Sequence, residues 1–204
     1  MHLLRREAAE SLGHAEKSLT ISNEHHINLY ALYSRFGRGC ALAEMGRLDE
    51  GAADIAAGIE AANASNLGYL RAFMLGWQAT VMAHEGDEAA ARATLSQAVM
   101  AIGDVEGRAW EAELHRLRGE ILLSFNADDT DAAMASYSRA IDVARGQGAR
   151  SLELRAASSM AKCLRSLGRE QEAHDQLATV YNWFEEGFQT VDLKEAKALL
   201  TASR

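Results

Sequence analysis

Residues 37 to 43 read Gly37-Arg38-Gly39-Cys40-Ala41-Leu42-Ala43, a GxGxxxA run one residue longer than the GxGxxG/A pattern of a dinucleotide-binding turn. That chemistry needs a strand before the glycines and a helix N-terminus after them, so that free backbone N–H groups face the pyrophosphate. Here the motif lies inside a stretch of helical periodicity, where those N–H groups are already used. The glycines fit a close helix crossing instead. The histidines, His2, His14, His25, His26, His84, His115 and His174, contain no HExxH spacing. His25 and His26 are adjacent and point roughly 100° apart on a helix, so a metal would need convergence from separate elements. Cys40 and Cys163 match no metal or redox spacing and read as small buried hydrophobes in a reducing setting. No Ser/His/Asp grouping or carboxylate pair stands out, and the many carboxylates read as solvated helix faces. The expectation is a non-enzyme without cofactor, metal or catalytic residues.

The elements that carry these residues are helical. The chain has 204 residues and no proline, so no position is denied to a helix by a missing N–H. Ala is abundant, and β-branched residues are too scattered for sheets. A formal charge of −8 argues against nucleic acid, whose phosphates need a basic surface. No apolar run approaches the roughly 20 residues of a membrane helix, and the N-terminus lacks a signal-peptide core. A cytoplasmic location without membrane contact is expected.

Four segments align with one another: GCALAEMGRLDEGAADIAAGI, ATVMAHEGDEAAARATLSQAV, GEILLSFNADDTDAAMASYSRAI and AKCLRSLGREQEAHDQLATVY. Each reads as the end of one helix, a tight turn and a second helix. The turns carry Gly46, Gly86 and Gly168; the third uses Asn126 to Asp129, with Asp129 or Thr130 placed to cap the next helix. After each turn a small–large–small set recurs at i, i+4 and i+7: Gly51/Ile55/Gly58, Ala91/Leu95/Ala98, Ala133/Tyr137/Ala140 and Ala173/Leu177/Val180. That spacing makes one helical face, with small residues where helices cross and a large one plugging the gap between them. It is the tetratricopeptide (TPR) pattern, at a period of about 40 residues against the usual ~34.

The spacing predicts an all-α, right-handed TPR-like superhelix forming a single domain over 1–204. First helices fall at 27–45, 67–85, 108–125 and 150–167, and second helices at 48–64, 87–103, 130–147 and 170–186. The repeats span about 26–65, 66–105, 107–148 and 149–187. Residues 4–22 read as an unpaired second helix, with Ala8/Leu12/Ala15 at the same spacing. Residues 191–202 read as a cap, with Leu193, Ala196, Leu199 and Leu200 in one stripe. An uncapped N-terminal helix leaves apolar surface bare, so the chain is expected to be cut from a longer array or to pack against a second copy there. Tyr181, Trp183, Phe184 and Phe188 read as the seal between the last repeat and the cap.

First helices line the concave groove of such an array. With Gly39, Ala79, Gly119 and Ala161 as equivalent small positions, the inward rows include Tyr33, Phe36, Cys40 and Ala43, then Phe73, Gly76, Thr80 and Ala83. They continue with Glu113, Arg116, Glu120 and Leu123, then Arg155, Ser158, Lys162 and Arg165. A groove apolar at one end and cationic at the other suits an amphipathic protein or peptide segment with an acidic group held by Arg. Glu113 and Glu120 are expected to pair with their neighbours. Arg155, Lys162 and Arg165 find no acid in their own row and are expected to face the partner.

Residues 110–200 contain WEAELHRLRGEILL, ARGQGARSLELRAASSMAKCL and YNWFEEGFQTVDLKEAKALL. Together these resemble the C-terminal TPR region of large bacterial signalling proteins. In those, a nucleotide cyclase or winged-helix domain precedes a P-loop ATPase module and a helical-repeat tail. The resemblance covers about the last half of the chain. It implies a cytoplasmic regulatory tail that senses a protein or ligand. The chain itself has no GxxxxGK[ST] loop, so the family's enzymatic and DNA-binding roles do not transfer to these residues. The expected function is a non-catalytic protein- or peptide-binding module. The alternatives are a scaffold that forms homo-oligomers through its N-terminal helix, or a small-molecule sensor.

Overall fold

The computed structural model describes residues 6–64, 70–102 and 107–202. The expected helix starts at 4 and 67, the expected helix end at 103, and His2 lie outside the described residues. Among the described residues there are ten α-helices and no strand. They are α1 (Ala8–Glu24), α2 (Asn28–Glu44), α3 (Leu48–Ala64), α4 (Arg71–His84), α5 (Glu88–Met100), α6 (Glu111–Phe125), α7 (Thr130–Gly146), α8 (Arg150–Ser166), α9 (Glu170–Tyr181) and α10 (Val191–Thr201). Contacts cluster them into two compact units, Met1–Arg108 and Ala109–Arg204. Within each unit, helices pack mainly on their chain neighbours, the arrangement of a helical repeat.

In the first unit, α2 and α3 cross at glycine. A Cβ on Gly39 would lie 2.8 Å from Ile55 N, and one on Gly51 would lie 2.9 Å from Ala43 N. A Cβ on Gly58 would lie 3.0 Å from Phe36 Cβ. Residue numbers fall on one helix as they rise on the other, so the two run antiparallel. The crossing reading holds for Gly39 but not for Gly37, whose Cβ would meet nothing within 4 Å. All four small–large–small sets are buried, from Gly51, Ile55 and Gly58 through Ala173, Leu177 and Val180. The Ala8/Leu12/Ala15 set differs, since only Ala15 is buried.

The turns closed by a left-handed residue share one hydrogen-bond pattern. After α2, Arg47 N–H donates to Leu42 O at 2.9 Å and Gly46 N–H to Ala43 O at 3.0 Å, with Gly46 at φ +80°. This is the left-handed closure that glycine permits without a Cβ penalty. After α1 the same closure is made by His26, at φ +57°: Ile27 N–H donates to Ser22 O at 2.8 Å. The turn before α7 is held differently from expectation. Asp129 occupies the N-cap position but makes no side-chain cap bond. Instead Asn126 Nδ2 donates to Asp129 Oδ1 at 2.9 Å, and Asn126 Oδ1 accepts from Asp128 N–H at 3.1 Å. The asparagine amide thus ties the turn together through both a carboxylate and a backbone contact.

Helix α9 ends at Tyr181, five residues before the expected 186, and the chain turns through Asn182 to Thr190 into α10. Tyr181 and Phe184 pack against the core of the second unit together with Leu199 and Leu200. Trp183 and Phe188 are 55% and 42% exposed, so only half of the aromatic group forms a seal. The Arg150 guanidinium stacks 4.9 Å from the centre of the Trp183 ring.

Candidate partner-binding face

In the first unit, the expected groove residues divide between core and surface. Phe36 on α2 is 4% exposed, and its ring meets Phe73 of α4 edge-on at 5.7 Å. Gly58 supplies the space beneath it. Phe36 is therefore a core plug, as are Cys40 (0% exposed) and Ala43, which corrects their expected place on an open face. Burial pushes the Cys40 thiol well above the usual range, so it is an inert thiol. Thr80 is half-buried, and its hydroxyl donates back to Gly76 O at 3.0 Å. What remains open is Tyr30, 59% exposed, standing edge-on to the half-buried Tyr33 at 6.5 Å. Ile21, Ile27 and Leu29 beside them are 53%, 41% and 44% exposed.

The second unit holds a charged face built on alternate helices. Glu113 of α6 lies 4.0 Å from Arg155 of α8, and Glu120 accepts a 2.5 Å hydrogen bond from Ser159. Arg155 Nε in turn donates to Asp192 of α10 at 2.8 Å, while Lys162 lies 3.9 Å from Glu195. Numbers rise together along these helices, so α6, α8 and α10 run parallel, bridged by charge. Arg116 is clamped on its own helix, 2.7 Å from Glu113 and 3.3 Å from Glu120. Burial alone would lower the Arg116 pKa, but the two carboxylates more than offset it and hold the pKa above the arginine range. The same burial, with Glu120 nearby, raises the phenol of Tyr137.

Arg155, Lys162 and Arg165 were expected to face a partner because their own row holds no acid. The structure supplies acids from other helices: Asp192 and Glu195 on α10, and Glu170 on α9, whose Oε2 lies 2.8 Å from Arg165 Nε. Arg155 and Asp192 are both 11% exposed. Ser158 is buried as well, and among the described residues its Oγ has no hydrogen-bond partner. The mutual pairing expected for Glu113, Arg116 and Glu120 is present.

Two buried carboxylates escaped the sequence. Asp54 of α3 is 3% exposed and takes Arg35 at 3.2 Å and Arg38 at 2.6 Å. Glu153 of α8 is 2% exposed and takes Arg145 at 3.1 Å and Arg150 at 2.7 Å. Both read as solvated acids in the sequence. The signal lay in the paired arginines, three apart in Arg35 and Arg38, but it does not say which acid on which helix they enclose. Among the described residues, no group of three His, Cys, Asp or Glu is placed to hold a metal, and no helix is long and apolar enough to cross a membrane. Compared with protein-family models the chain matches none, and a search of curated proteins returns no match.

Proposed function

We propose that this chain is a TPR-type helical-repeat module that binds a protein or peptide and serves as a regulatory tail in bacterial signalling. The observation that carries the proposal is the parallel set α6, α8 and α10, bridged by Glu113–Arg155–Asp192. Alternate helices aligned in this way present a continuous side-chain surface, the architecture repeat proteins use for extended recognition. The buried small–large–small sets agree with that architecture. The resemblance of residues 110–200 to cyclase- and ATPase-linked tails supplies the signalling context.

The test is affinity capture followed by calorimetry with the purified captured protein. Binding that weakens at least tenfold on Arg165→Glu, with helicity unchanged, supports the proposal. Loss of helicity without any specific partner, or stabilisation by metabolites alone, counts against it.

A second reading, self-association through the N-terminal end, is favoured by exposed Ile21, Ile27, Leu29 and Tyr30. Light scattering would show a mass that doubles with concentration and reverts on Ile21→Asp with Tyr30→Ser. A concentration-independent monomer eliminates it.

A further inference from the structure

Helix α10 packs on α8 about as closely as α8 packs on α6, and touches α9 as α8 touches α7, though over much less of its length. It thus takes the position of a further first helix, yet it is held differently. It is 11 residues long and fully buries only Leu193 and Ala196. Helix α8, 17 residues long, buries ten, from Glu153 to Leu164. A helix this short is marginal in isolation and depends on the surface beneath it. That surface is chemically particular. Arg155 grips Asp192, Lys162 stands near Glu195, and Ala161, Ala173 and Leu177 form a shallow depression with Leu199 and Leu200, rimmed by Arg165 and His174. Lifting α10 would expose Arg155, which keeps Glu113 at 4.0 Å, and Lys162 seven residues on along α8, beside the apolar Ala161, Ala173 and Leu177.

Resting on the recognition role proposed above, we infer that the α8–α9 face is a helix-docking surface and that α10 is its in-chain occupant. Its external partner is an acidic amphipathic helix from another protein. That helix carries carboxylates three residues apart, as Asp192 and Glu195 are, and leucines on the adjoining stripe, as Leu193 and Leu200 are. An apolar stripe laid in a groove with acids on Arg and Lys is the usual grammar of helix-in-groove recognition. The tethered α10 lowers the apparent affinity of such a partner by the fraction of molecules in which it is lifted. Local opening of this short, weakly buried helix supplies that fraction.

The experiment uses the full chain. A fluorescent synthetic peptide with the sequence of residues 190–201 is titrated into the wild type and into Asp192→Lys/Leu193→Ser/Glu195→Lys, and anisotropy is read. The loosened chain is expected to bind at least tenfold tighter than the wild type, and adding Arg155→Glu to it is expected to abolish the gain. In the wild type, α10 amides are expected to exchange hydrogen at least a hundredfold faster than those of α8. Equal binding by loosened and wild-type chains, with α8 amides still protected, overturns the inference. So does α10 exchange as slow as that of α8. If the captured protein of the preceding test binds both chains alike and ignores Arg155→Glu, this surface fails while the recognition role stands.

Discussion

At the α2–α3 crossing a Cβ on Gly39 or Gly51 would meet main chain first, with the Cβ atoms of Asp54 and Ala43 beside it, whereas at α6–α7 the equivalent Gly119 lies under the ring of Tyr137. Both crossings exclude a Cβ at the first-helix glycine. In the first unit the obstacle is main chain, which cannot move without moving the helix. In the second it is a side chain, 1% exposed, wedged where a smaller residue would leave room. Closeness is therefore intrinsic to the backbone in one unit and imposed by a bulky plug in the other.

Gly39→Ala should break this contrast most sharply, costing about 3 kcal/mol in urea denaturation through overpacking against main chain. Gly119→Ala should cost less, about 1–2 kcal/mol, and part of that should return in a Tyr137→Leu background. Equal losses with no coupling would show that the two crossings do not differ in kind.

The two buried acids sharpen a likeness instead. Asp54 and Glu153 each sit between two arginines, 53% and 35% exposed around Asp54 and 56% and 36% around Glu153. Asp54→Asn and Glu153→Gln should each cost about 1–2 kcal/mol, since the arginines stay solvated while charged hydrogen bonds are lost. A cost above that in only one unit would mean that the arginines there are less solvated than their exposure suggests.

A smaller effect compares the turns. His26 holds the left-handed conformation that Gly46 holds one turn later. His26→Gly should stabilise by about 1 kcal/mol, read as a rise in melting temperature, and Gly46→Ala should destabilise by a similar amount. The smallest effect is the pH response of His115. Burial lowers its pKa below 6.5, with Arg139 and Arg118 opposing its charge and Glu111 favouring it. The folded state therefore prefers the neutral ring. Stability is full above 6.5 and falls as pH drops from there toward the lower folded pKa. His115→Gln should flatten that slope in denaturation curves taken between pH 7 and 5.

The helices and their buried faces were legible because the information is local. The small–large–small spacing marks one helical side, and Gly46, Gly86 and Gly168 mark the turns. The candidate face was legible only in part. Arg116 and Glu113 are three apart and betray their pairing, whereas Arg155 meets Asp192 across 37 positions of chain. Asp54 and Glu153 look like any surface acid until another segment folds over them. The early end of α9 was hidden too, because the aromatics after Tyr181 continue the apolar pattern while leaving the helix.

The glycine contact on α2 and α3 also bears on motion. Where two backbones approach this closely, with only Cβ atoms beside them, neither helix can slide or roll on the other without driving main chain into main chain. Gly39 and Gly51 therefore act as a fixed pivot. Toward Tyr33 the buried Leu32 and Phe36 pin α2 as well, so relative adjustment of the pair is left to the Gly46 turn.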